Sequence, residues 1–254
     1  MKIGVIHPGA MGVAVASSLA GSHEIFWASE GRSETTRQRA QATGLNELPT
    51  LAEVVNTCEA IISLCPPAAA TEVAEDVSRV RSSGFLYIDA NSVAPETVNR
   101  IAGLFPGNTV DATLTGEPGA PNTTIWLSGK RASEVCSLFE GTRIRYRVIG
   151  AELGEASAFK MCSGLRSKII PAVWATLITA ASSFGPEVER CVREHLGELG
   201  YDLDLESEKI SNRSRKAARW VGEMDESAKT MRGVNLPSGF SEAAAATYQR
   251  IATP

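Results

Sequence analysis

The sequence is poor in histidine and in long apolar runs, and it has no excess of positive charge; each shortage excludes something. Three histidines in 254 residues, far apart along the chain, leave little from which to build a metal cluster. The five cysteines, Cys58, Cys65, Cys136, Cys162 and Cys191, are odd in number and contain no C-x-x-C pair. That pattern points to reduced thiols and away from a disulfide framework or a zinc site. The net charge of -4 gives no basic surface for nucleic acid. The local cluster Arg213-Ser-Arg-Lys216 reads as a solvated helix face. The longest apolar stretch, residues 169–181, falls short of the roughly 18–20 residues that span a bilayer. Met1-Lys2 leads straight into a strand with no secretory leader pattern, so a cytoplasmic protein without membrane attachment is expected.

What is present is an α/β pattern. Apolar segments alternate with helical ones as far as Gly150: strands at 24–28, 60–64, 85–89, 109–112, 125–128 and 146–149, with helices at 34–43, 51–55, 68–81, 96–104 and 132–139 between them. This spacing predicts a doubly wound, mainly parallel sheet of the Rossmann type, with its ligand-binding loops along one rim. Beyond Gly150 strand-like alternation stops and helical periodicity takes over, at 155–183, 186–199, 205–232 and 241–251. Gly200 is placed as a C-cap, Ser241 as an N-cap, and Pro171 as a kink or break. The expected organisation is a nucleotide-binding domain over 1–150 and an all-helical domain over 151–254.

The opening stretch carries the first chemistry. Ile3, Val5 and Ile6 end at His7-Pro8-Gly9, and a small-residue helix follows through Ala10, Met11 and Gly12. This matches strand, tight turn and helix with a G-x-G-x-x-G fingerprint whose first glycine is His7. After the second strand, Glu30, Arg32, Ser33 and Arg37 occupy the place where a carboxylate selects NAD and cations accept the 2′-phosphate of NADP. Two arginines and a hydroxyl favour NADP; Glu30 keeps NAD as the alternative.

Four segments together resemble the β-hydroxyacid dehydrogenase superfamily, the 6-phosphogluconate and 3-hydroxyisobutyrate dehydrogenases and their imine-reducing relatives. They are His7-Pro-Gly-Ala-Met-Gly12, Asp89-Ala-Asn-Ser-Val-Ala-Pro95, Asp111-Ala-Thr-Leu-Thr-Gly-Glu117, and Gly150-Ala-Glu-Leu-Gly-Glu-Ala-Ser-Ala-Phe-Lys160. The resemblance implies an NAD(P)-dependent enzyme in which Lys160 is the acid/base while hydride moves to or from the nicotinamide. It also implies that Cys65, Pro66 and Pro67 cover the adenosine side and that Asn91 faces the nicotinamide ribose or amide. Ser92, Thr115, Gly116, Glu117, Ser163 and Gly164 are then expected beside the substrate. Two positions depart from the family pattern. Gly164 stands where the family holds substrate with an asparagine, and Glu117 stands where it has a glycine. A carboxylate there would repel an anionic substrate and attract a cationic one, unless it turns to solvent. Hydride transfer at a hydroxyl or oxo carbon is the leading expectation. Imine reduction or reductive amination, and a silent NADP-binding sensor or scaffold, are the alternatives. Cys162 is expected to be a packed thiol, and a homodimer through the helical domain is expected from the apolar 169–181 stretch and from the family.

Overall fold

The computed structural model describes residues 1–213 and 216–252. Its apolar segments assemble into one eight-stranded sheet. The strands are β1 (Lys2–Ile6), β2 (Glu24–Ala28), β3 (Asn46–Leu48), β4 (Ala60–Ser63), β5 (Leu86–Asp89), β6 (Thr109–Thr115), β7 (Thr124–Ser128) and β8 (Arg145–Gly150), in the order β3-β2-β1-β4-β5-β6-β7-β8. Neighbours are parallel except β6 and β7. The connections carry α1 (Ala10–Leu19), α2 (Glu34–Ala42), α3 (Leu51–Thr57), α4 (Ala70–Val80), α5 (Pro95–Ala102) and α6 (Ala132–Leu138). Strand order reverses beside β1, so the ends of β1 and β4 form the switch point at which such sheets take ligands.

Both faces of the sheet are covered through its centre, as a parallel sheet requires, while the edge strands β3 and β8 are largely exposed. Alternation along each strand divides the core in two. Ile3, Val5, Ile62, Ile88 and Ile125 pack on one side with Val15 and Leu19, while Ile6, Ile61 and Tyr87 pack on the other with Val54, Val77 and Phe105.

The chain divides into two compact units, Met1–Lys160 and Met161–Pro254. Its later helices are α7 (Glu155–Gly164), α8 (Ile170–Ser183), α9 (Pro186–Glu198), α10 (Leu203–Arg213), α11 (Ala217–Gly233) and α12 (Gly239–Ala252). In the second unit Ala172, Met224, Ala244, Ala245 and Tyr248 make a small core. A nearly buried ion pair sits there as well, Lys168 Nζ to Glu223 Oε2 at 2.9 Å, with Arg219 Nε 3.0 Å from the other oxygen.

Two expectations need correction and one is sharpened. The kink or break expected at Pro171 falls just ahead of it, where a π-helical segment, Leu165–Ile169, precedes α8 and Pro171 sits in the first turn of that helix. Proline has no N–H and its ring excludes the carbonyl four residues back, so the irregularity is displaced toward Ser167. Ser241 does not cap α12, which begins at Gly239. It is buried inside the helix with its hydroxyl 3.1 Å from that of Ser227, and the carbonyl of Ser238 takes the N–H groups of Ser241 and Glu242. The single helix expected over 205–232 is two, α10 and α11; Ser214 and Arg215 of the basic cluster lie outside the described residues. Gly200 does close α9. With φ of 84° it donates to Gly197 while Tyr201 donates to Leu196, the paired bonds of a Schellman cap.

Candidate functional site

The turn after β1 keeps the shape of the glycine fingerprint without its first glycine. His7 has φ of 64°, in the left-handed region that glycine enters freely and histidine enters more readily than most residues. Its carbonyl accepts the Gly9 N–H at 2.7 Å. A Cβ on Gly12 would lie 2.8 Å from that same oxygen, so only glycine lets α1 start this close to the turn. At Gly9 a Cβ would meet nothing nearer than the His7 oxygen at 4.0 Å, which leaves the space above the turn open. No side chain caps α1 and its first turn carries no acidic residue. Pro8, Ala10 and Met11 complete the turn, and an uncapped helix start of this kind suits an anion.

Arg32 reaches this turn from the β2–α2 connection. Its Nε is buried and has no hydrogen-bond partner, and so is Nδ1 of His7. Burial, and then the Arg32 charge, pull the His7 imidazole down to about 4, so it is neutral at pH 7. Burial lowers the Arg32 guanidinium as well. The remaining residues of this connection are more engaged. Ser33 caps α2 by accepting the Thr36 N–H. Arg37 donates to the Ser29 carbonyl at 2.9 Å and pairs with Glu47 of β3, a strand too short and polar for its pattern to stand out. Glu30 is exposed. An open turn of amides beside an arginine with a spare buried donor fits the phosphates of a dinucleotide.

The end of β4 is tied to the end of β5. Asn91, buried, accepts the Cys65 N–H at 2.7 Å through Oδ1 and donates to Ser63 Oγ at 3.1 Å through Nδ2. Its amide is thus largely occupied in shaping the loop Cys65-Pro66-Pro67, leaving one N–H for any ligand. Burial, and then the charge of Asp89, push the Cys65 thiol up to about 12, so it is no nucleophile. Ser92 follows, half-buried.

At the end of β6, Thr115 accepts the indole N–H of Trp126 at 2.9 Å. Gly116 has φ of 98°, and a Cβ there would lie 2.9 Å from Thr123 Cα, so the residue must be glycine. Glu117 is exposed, and its carbonyl accepts the Thr123 hydroxyl. Lys160, half-buried on α7, donates from Nζ to the carbonyl of Leu114 at 2.5 Å. The residue before it, Phe159, lies against Trp126 with ring centres 4.3 Å apart. Ser163 and Gly164 follow within about one turn of α7. Cys162 is exposed, contrary to the packed thiol expected of it.

The sequence placed the start of α7 at Glu155, but not how the sheet closes it. Asp111, fully buried, accepts the N–H of Gly154 at 3.0 Å, the N–H of Ser157 at 2.9 Å, and the hydroxyls of Ser157 and Ser128. Ser128 in turn accepts the Ala156 N–H at 3.0 Å. Burial raises the Asp111 carboxyl, and the donors from Ser157, Ser128 and Gly154 pull it back. A Cβ on Gly154 would press on Pro95 at 3.0 Å. Pro95, Asp111 and the α7 start, drawn from three of the four motif segments, therefore meet in one place.

A family model described as "NADP oxidoreductase coenzyme F420-dependent" matches residues 2–92, and one described as a "Domain of unknown function (DUF1932)" matches 185–251. An uncharacterised 28.5 kDa protein of Methanothermus fervidus is 27% identical over 206 residues, covering 80% of each chain. Among solved structures, a conserved protein of unknown function, described as similar to 3-hydroxyacid dehydrogenases, superposes with a TM-score of 0.71 at 27% identity. That match covers 99% of this chain and 96% of the other. A 3-hydroxyisobutyrate dehydrogenase from Salmonella typhimurium shares the fold with a TM-score of 0.74 at 17% identity, covering 98% and 93%. In fold, the chain is therefore similar to 3-hydroxyisobutyrate dehydrogenase and related β-hydroxyacid dehydrogenase-like proteins. More narrowly, it joins a segment similar to NADP-binding oxidoreductases to one similar to the domain of unknown function.

Proposed function

We propose that the protein is an NAD(P)-dependent oxidoreductase, NADP-preferring, that transfers hydride at a hydroxyl or oxo carbon of a small substrate with Lys160 as general acid/base. The observation that carries this reading is the Lys160 ammonium at the Leu114 carbonyl, in the same unit as an open, uncapped diphosphate turn. The bound nicotinamide would supply or accept the hydride. The turn from His7 to Gly12 would hold the diphosphate, and Arg32, with Ser33, Arg37 and Glu30 near it, would meet the adenosine ribose. Cys65, Pro66 and Pro67 would cover the adenosine side, with the remaining Asn91 N–H turned toward the nicotinamide half. Ser92, Thr115, Gly116 and Glu117 would face the substrate, and Ser163 and Gly164, which follow Lys160 on α7, are proposed substrate-binding residues as well. Lys160 would give a proton to the substrate oxygen, or take one from it, as charge develops there.

A panel of hydroxy acids, aldehydes and imines tested with NADPH and NADP⁺ checks the chemistry. Turnover of a hydroxyl or oxo substrate that falls by about 10²–10⁴-fold in Lys160→Ala supports the acid/base role. Full activity of that variant overturns it, turnover of imines alone supports the reductive-amination reading, and cofactor binding without turnover supports a sensor. A homodimer through the helical unit belongs to the same proposal. The α8 sequence has no charged residue, yet Ile170 and Val173 are 48% and 56% exposed on it. A monomer in sedimentation velocity would overturn that part.

A further inference from the structure

The strand β6 holds helix α7 at two points. At its start, Asp111 takes the Gly154 and Ser157 N–H groups and the Ser157 hydroxyl. Three residues later along the same strand, the Leu114 carbonyl takes the Lys160 ammonium. The first point is finished on every side. Ser128, directly opposite Asp111 in the antiparallel β6–β7 pair, adds a fourth donor to the carboxylate and accepts the Ala156 N–H. Orphan N–H groups in the first turn of α7 are thus satisfied from strands 28 to 46 positions away in sequence. A helix capped by its own preceding residue can pivot with its loop, whereas one capped from the sheet cannot.

We propose that Asp111 is the positioning residue for Lys160: by clamping the first turn of α7 to β6, it fixes the ammonium at the Leu114 carbonyl, beside Thr115 and Gly116. A carboxylate suits the task because it accepts four hydrogen bonds with no donor of its own to misplace. Leucine has nearly the same shape but no acceptor, so it leaves all four donors without a partner. The inference rests on reading Lys160 as the proton-handling group, but its test does not need turnover.

The test is competitive acetylation with trace acetic anhydride, read by mass spectrometry across pH 7–11, with exposed Lys2 and Lys130 as internal references. In the wild type, Lys160 should react about tenfold more slowly than the references, the factor expected for one hydrogen bond from a charged donor. In Asp111→Leu its rate should rise severalfold toward that of the references, while NADPH binding at the α1 turn changes less than about twofold. Ser157→Ala, which removes one neutral donor, should give a smaller rise of the same sign and serves if Asp111→Leu does not fold. Lys160 labelling that keeps its wild-type rate in a folded variant overturns the proposal. Loss of NADPH binding together with the labelling change also overturns it, since the effect is then general unfolding. Failure of Lys160→Ala to reduce turnover would remove the acid/base reading and leave this result standing.

Discussion

The starts of α1 and α7 lie in the same unit and are finished in opposite ways. The α1 start has no side-chain cap, no acidic residue in its first turn, and open space above Gly9. The α7 start is closed by a buried carboxylate and a serine from the sheet. Both ends carry the positive pole of a helix, and both need an acceptor. At α7 the protein supplies its own, which makes that end a structural joint. At α1 it supplies none, which reserves that end for something brought in.

Filling and emptying these two ends should therefore have different consequences. The largest effect is expected at the closed one. Asp111→Ala strips several buried donors of their acceptor at once and should lower stability by about 3–5 kcal/mol in denaturant unfolding. A loss under about 1 kcal/mol would show that water substitutes for the carboxylate. At the open end, Gly12→Ala drives a Cβ toward the His7 carbonyl. It should weaken NADPH binding about tenfold or more with a smaller loss of stability. Unchanged affinity would mean that the turn yields without disturbing its amides.

The smallest effect is a pH dependence at His7. The folded imidazole sits at about 4, below the ordinary value of 6.5. Between those values the unfolded chain binds more protons, so stability should be complete above pH 6.5 and erode as pH falls toward 4. In His7→Asn, a residue that also tolerates the left-handed region, that share of the acid sensitivity should vanish from thermal melts taken across this window. Identical pH profiles would show that His7 is not the group responsible.

The same contrast explains how far the sequence could be read. The sheet was legible because Ile3, Val5, Ile62 and Ile88 alternate or run together as buried strands must, and the turn was legible because Gly9 and Gly12 keep their spacing. The role of His7 was half legible: its place in the motif showed, but not that it takes up the glycine conformation itself. The closure of α7 was hidden, because Asp111, Ser128 and Gly154 meet only through the β6–β7 register. One signal was available, an aspartate that is the one charged residue of its strand, which has to find donors if it is buried. The π-helical segment before Pro171 was hidden for another reason, since side-chain periodicity does not record which carbonyl a backbone amide selects.

The claim that the open end of α1 is kept for a nicotinamide dinucleotide is tested most directly by fluorescence titration with NADPH and NADH. NADPH should bind more tightly than NADH by about tenfold or more, as one added charged hydrogen-bonded contact allows, and Arg32→Ala should erase most of that gap. Equal affinities in the wild type would contradict the NADP preference. No binding of either cofactor would contradict the account itself.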